Sequence, residues 1–225
     1  MRKLVVFLIL LAVVLGILDR VVVSGVEREI ARQVEARYDL DSTPQVEVHG
    51  IPFLTQAISG KYQEITIKIG ALRYDSVRVA GIDARLLGVN AQLNDLLASN
   101  AKITVDEVIG TVVISKETID ARAPDGVKIE GTGEDTLRVT GEIPVRNVRV
   151  PVTATMEFEV VRNGIRIRPR EVKVGGNLAV PNARQLISWT VPLRNLPLDL
   201  KVTKVRSTPE GLAVEARAKD VPLKG

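Results

Sequence analysis

The most regular stretch of the chain is Val148 to Val161. Val148, Val150, Val152, Ala154, Met156, Phe158 and Val160 take the even positions, and Arg149, Pro151, Thr153, Thr155, Glu157 and Glu159 take odd ones. Period-two alternation describes a strand with one apolar and one solvated face. Fourteen residues would extend roughly 46 Å, well beyond a strand of ordinary length. Asn163-Gly164 then supplies a two-residue hairpin signal. With that pair as the loop, Val160 lies opposite Ile167 and Arg162 opposite Ile165, so the apolar faces coincide. The same register sets Glu159 against Arg168 and Glu157 against Arg170.

Shorter alternating runs fill much of the remainder. Ile65, Ile67 and Ile69 alternate with Thr66 and Lys68. Val77 and Val79 stand on odd numbers and Ile82, Ala84 and Leu86 on even ones, with the phase change at Ala80-Gly81 predicting a bulge or bend. Strands are expected to end at Val112–Ile114 and to run from Thr136 to Glu142, with short helical pieces over Leu93–Ala98 and Lys116–Ala121. Pro181 and Asn182 can open a helix through Thr190 that carries the only Trp, Trp189. Pro192 and Pro197 deny a helix to Val191–Leu200. Leu198, Leu200 and Val202 read as a strand, and Pro209-Glu210-Gly211 as a turn before Leu212, Val214, Ala216 and Ala218.

The N-terminus has another pattern. Arg2 and Lys3 precede an unbroken apolar run, Leu4 to Leu18, which Asp19 and Arg20 close. As a helix the run spans about 22 Å, short of the roughly 30 Å hydrocarbon core. It reads as a signal peptide over residues 1–24 or as an N-terminal membrane anchor, and either directs the remainder out of the cytoplasm. Val22, Val26, Ile30, Val34 and Tyr38 then recur every four residues among charged positions, an amphipathic helix. Such a helix packs on a sheet, or lies on a bilayer and closes a lipid cavity.

Composition narrows the classes. Residues 25–225 form one expected domain, with enough chain for a sizeable core. Of 31 basic and 27 acidic side chains, residues 25–225 retain 28 and 26. So balanced a charge, with aromatics at 3%, argues against nucleic acid as a partner. Cysteine is absent, which removes thiol catalysis and thiolate metal sites.

The least ordinary segment is Gly50 to Tyr62, G-I-P-F-L-T-Q-A-I-S-G-K-Y. Pro52 interrupts any strand ladder, yet Ile51, Phe53 and Leu54 are apolar, so the loop must be buried or face something apolar. The pattern Gly-x-Pro-Phe-Leu-x-Gln, then Gly-x-Tyr at Gly60 and Tyr62, resembles the LmeA-like phospholipid-binding family of bacterial cell-envelope proteins. The resemblance covers most of the chain after residue 25. It implies a periplasmic lipid carrier of the tubular lipid-binding type, acting in envelope lipid or glycolipid assembly.

The residues offer little catalysis. His49 is the only histidine, so a Ser-His-Asp arrangement must use it, with Ser59 or Ser188 as nucleophile. Ser59 stands in A-I-S-G-K, which lacks the first Gly of a nucleophile elbow. Glu47 shares a strand face with His49, an acid-base couple or a plain surface pair. No phosphate loop occurs. Asp106-Glu107 and Glu134-Asp135 lack calcium-ligand spacing and read as solvated turns. No cofactor or metal is expected. Arg146, Arg149, Arg162, Arg166, Arg168 and Arg170 gather at the hairpin, where they attract anionic headgroups or simply solvate a sheet face.

The expected fold is α+β: a long, strongly curved antiparallel sheet or elongated barrel, closed by the N-terminal amphipathic helix and a C-terminal helix, around an apolar tunnel. The expected function is non-catalytic binding and transfer of phospholipid or another acyl-chain lipid, with the membrane surface as a further partner. The alternative is a structural or partner-binding envelope domain with a solid core. Candidate lipid contacts are Phe53 and Leu54 from the motif, Val152, Met156, Phe158 and Val160 from the long strand, and Trp189, Leu193 and Leu196 from the C-terminal segment.

Overall fold

The computed structural model describes residues 2–74, 77–96, 102–124, 126–131, 136–145, 148–161, 164–175, 185, 187–192 and 200–224. The chain is mostly β, preceded by one long helix, and it divides into two compact units. Unit 1 comprises residues 1–70, 83–110 and 218–225; unit 2 comprises residues 71–82 and 111–217.

Helix α1, Arg2–Tyr38, is continuous through the apolar run and the amphipathic stretch. It ends where Asp39 turns to φ +49°, a left-handed cap that Asp tolerates better than most side chains. Its buried residues are Asp19, Val23, Val26 and Ala31. The expected stripe of Val22, Val26, Ile30, Val34 and Tyr38 is therefore corrected, since Val22 and Tyr38 are exposed. Every fourth residue advances 40° too far around a helix of 3.6 residues per turn, so a five-member series leaves the packed face. The buried set mixes steps of four, three and five.

In unit 1, β1 (Gln45–His49) pairs antiparallel with β2 (Lys61–Ile69), and the short α2 (Phe53–Ser59) joins them. Glu27 of α1 accepts the Val48 N–H at 2.8 Å, supplying an acceptor to an edge strand. The chain continues through β3 (Leu72–Tyr74), β4 (Val77–Asn90), α3 (Leu93–Leu96) and β5 (Lys102–Ser115). The predicted phase change in β4 is present: Val79 is buried, Asp83 and Arg85 are exposed, and Ala84 and Leu86 are half-buried.

Unit 2 contains α4 (Lys116–Asp120), β6 (Val127–Gly131), β7 (Thr136–Val145), β8 (Val148–Val161), β9 (Gly164–Val174), β10 (Trp189–Pro192) and β11 (Lys201–Thr208). Strand β12 (Gly211–Lys224) begins in unit 2 and ends in unit 1. One sheet has the order β10-β9-β8-β7-β6; the other runs β1-β2-β4-β5-β12-β11, with β3 beside β4. Ser115 caps α4 by accepting the Thr118 N–H at 3.3 Å. Buried Thr118 then exchanges hydrogen bonds with the Arg78 backbone, at 2.8 and 3.0 Å.

The long strand has the bounds its alternation predicts, but the hairpin register differs. Val161 pairs with Gly164, Val160 with Ile165, and Phe158 with Ile167. The loop thus lies one residue earlier than Asn163-Gly164. The pairing moves by two positions, an even slip that leaves both apolar faces matched. Only the charge partners change: Glu157 meets Arg168 at 2.8 Å, and Glu159 lies 3.7 Å from Arg166 and from Arg168. A bulge between Thr155 and Met156 leaves Arg170 without an opposite residue on β8. Beyond it the inward positions of β9 switch from Ile165, Ile167 and Pro169 to the half-buried Val172 and Val174.

The expected C-terminal helix is also corrected at its end. Trp189 and Thr190 belong to β10, where Trp189 pairs with Ile167 and Val191 with Ile165. Trp, Thr and Val favour a pleated surface, and the two-residue spacing of Trp189 and Val191 puts both on the buried face. Pro192 is tolerated because β10 is the terminal strand of its sheet. Residues 181–184, where that helix was expected to begin, lie outside the described residues, as do Leu193, Leu196 and Leu198.

Candidate functional site

The Gly50–Tyr62 motif is a built corner of unit 1. Gly50 has φ +106°, and a side chain there would run into Gln56. Pro52, after a cis Ile51–Pro52 peptide, precedes α2 and gives it no side-chain cap. Asp19 of α1 replaces that cap. Its Oδ1 accepts the Leu54 N–H at 2.8 Å, and its Oδ2 meets Arg20 at 2.6 Å. Phe53 is fully buried, 6.1 Å from the ring of Tyr62.

Gln56, also buried, acts as a staple. Its Nε2 donates to the His49 carbonyl at 3.3 Å, and its Oε1 accepts the Gln63 N–H at 2.9 Å. One amide therefore ties the end of β1 to the start of β2. Gly60 ends α2 at φ +66°, a left-handed cap that favours glycine, and its carbonyl accepts the Ala91 N–H at 2.9 Å. Each specified motif position thus has a structural task, and Leu54, half-buried, contributes its backbone N–H.

The hydroxyl and imidazole groups nearby do not form a catalytic relay. The Ser59 hydroxyl donates to the Gln56 carbonyl at 3.0 Å. His49 Nε2 lies 3.0 Å from Thr66 Oγ1 and 3.7 Å from Glu47, with both ring and carboxylate about half exposed. Ser188 belongs to unit 2 and His49 to unit 1. Among the described residues no three His, Asp or Glu side chains converge as metal ligands.

In unit 2, β7, β8, β9 and β10 bring Val152, Met156 and Trp189 into one apolar cluster with Leu137, Val139, Ile165, Ile167 and Val191. Phe158 is half-buried and packs against it. The face changes character along β8. Met156 has no exposed surface, whereas Val160, at the hairpin end, is 49% exposed. Phe53 and Leu54 belong to unit 1, so the candidate contacts fall into two groups.

Two buried donors lack a hydrogen-bond partner among the described residues: the Tyr62 hydroxyl in unit 1 and the Trp189 indole N–H in unit 2. Burial pushes the Tyr62 phenol up from its ordinary value. Unpaired donors of this kind are expensive in an apolar interior and ask for an explanation. Sequence reading chose Trp189 for its apolar bulk. It placed Gln56 in the motif but missed the cap from Asp19, although a carboxylate directly after an apolar run is a signal that a close reading could use.

A model of the LmeA-like phospholipid-binding family matches residues 17–217. The chain belongs to that family. No curated protein and no solved structure matches it. The family match takes in Asp19, the Gly50–Tyr62 corner and the aliphatic face of unit 2, and it names phospholipid binding as the property to be explained.

Proposed function

We propose that the protein binds a phospholipid through its acyl chains, in the extracytoplasmic space, and transfers it in the assembly of envelope lipids. In this reading residues 25–225 act as a single lipid-binding domain whose long sheet curls around an apolar tunnel. Unit 2 would supply the wall through Val152, Met156, Phe158, Val160 and Trp189; Leu193 and Leu196, candidates from the sequence, lie outside the described residues. Phe53 and Leu54, in unit 1, are proposed as further lipid contacts. The observation that carries the reading, beyond family membership, is the Trp189 N–H, buried and without a partner among the described residues, within an almost purely aliphatic face. Acyl chains need apolar area and no hydrogen bonds, while the lipid ester carbonyls offer an acceptor to such a donor. Burying about fourteen methylene groups is worth on the order of 11 kcal/mol before ordering costs.

A second reading, a structural or partner-binding envelope domain with a solid core, is favoured by one observation: Met156, Ile165 and Ile167 are completely enclosed. Trp189, the only tryptophan, separates the two. Lipid-free protein mixed with vesicles of brominated phosphatidylcholine should show quenched Trp189 emission, and native mass spectrometry should find one bound lipid. Unquenched emission and a lipid-free mass would leave the solid core as the better account.

A further inference from the structure

We propose that the outward edge of α2 is a bilayer-contact surface, held at the membrane by α1, which is kept as an anchor and not removed. Four observations in unit 1 lead there. The run Leu4–Leu18 is solvent-exposed throughout and passes without a break into the part of α1 that packs on the unit. Asp19, the first residue after the run, is buried and holds the N-terminus of α2 through the Leu54 N–H. The start of α2 therefore sits level with the place where the apolar run ends. Ile51 and Ile58, at either end of α2, are 81% and 84% exposed, the most exposed large apolar side chains among the described residues. Finally, Gly50 to Gly60 contains no charged residue, while exposed Arg20 and Lys61 flank it.

Each observation fits a bilayer as the occupant. An apolar helix of about 22 Å is short for a hydrocarbon core of about 30 Å. The mismatch draws the residues that follow the run down into the headgroup zone. Uncharged Ile51, Pro52, Thr55 and Ile58 can enter that zone, and the flanking cations suit anionic headgroups. Removal of residues 1–24 would take away Asp19 and Val23, leaving α2 without its cap and α1 without part of its packed side. The family match, too, begins at residue 17, inside the segment a peptidase would discard.

The inference rests on the membrane surface that the sequence leads one to expect as a partner, but not on a lipid cargo. The chain has no cysteine, so Ile51→Cys, Ile58→Cys and Lys68→Cys can each carry a single nitrobenzoxadiazole label. Lys68 is exposed near the far end of β2 and serves as the water-facing reference. Each full-length variant is reconstituted in phosphatidylcholine vesicles, with and without phosphatidylglycerol, and lipids brominated near the headgroup are the quencher. A far-ultraviolet circular dichroism spectrum equal to that of the unlabelled chain verifies the fold. Labels at 51 and 58 should shift to the blue and be quenched, more so with phosphatidylglycerol, while the label at 68 stays water-like. If 51 and 58 match 68 in both membranes, the surface is refuted. Intact mass of protein from its own membranes should equal the uncleaved chain; a mass lacking the first two dozen residues would refute the anchor. Quenched labels on a protein that never carries lipid would overturn the cargo reading and leave this one standing.

Discussion

Glu64 and Arg85 show what a single contact in unit 1 contributes. The Arg85 guanidinium grips the carboxylate through two hydrogen bonds, 2.8 and 3.2 Å, and these hold the Glu64 carboxyl below its ordinary value. A carboxyl lowered on folding stabilises the protein at pH values above its unfolded-state value, near 4.5, and that stability is lost as the pH falls through the lowered value. Glu64→Gln should therefore lower the urea midpoint at neutral pH, and the gap to the parent should close in acid. An equal gap at both pH values would mean that charge plays no part. Arg85 is about half exposed, so the effect will be small. Neither partner stands out in the sequence, since the two residues are brought together only by the pairing of distant strands. The motif was different: Gly50, Phe53, Gln56, Gly60 and Tyr62 could be singled out, but not the cap that Asp19 brings from α1.

Among the elements, the β8–β9 hairpin carries the sharpest test. The observed register sets Glu157 beside Arg168, and the register read from Asn163-Gly164 sets it beside Arg170. Glu157→Lys should cost about 0.5 kcal/mol, in the range of cross-strand charge pairs. Adding Arg168→Glu should restore the loss in a denaturant titration, and adding Arg170→Glu should not. Rescue by position 170 would overturn the observed pairing. The faces of this hairpin were legible because alternation survives an even slip, whereas the slip itself depends on loop geometry. The same limit explains Trp189. Asn182 and the preceding proline suggested a helix start, but pairing with β9 decides the conformation at the other end of that segment.

For the molecule as a whole, the question is what α1 does for the fold. Asp19 and Val23 are buried, although both precede the expected boundary at residue 24. A chain starting at Gly25 should unfold at lower temperature than the full chain, with a loss of about 1–2 kcal/mol for the missing cap and packing. The Leu54 amide, which loses its acceptor, should exchange with solvent faster. Equal melting and equal exchange would show that the contacts of Asp19 carry no stability.

Local order in the chain was enough to determine most strands, the apolar N-terminal helix and the turn at Pro209–Glu210. These depend on period, on proline and glycine, and on residue types present or missing, all of which are properties of short segments. Tertiary structure alone decided the hairpin register, the strand at Trp189, the face of α1 that is buried and the role of Asp19. Each of these depends on which distant segment supplies the partner. A free backbone N–H or a lone carboxylate in a sequence does not say where its partner will come from.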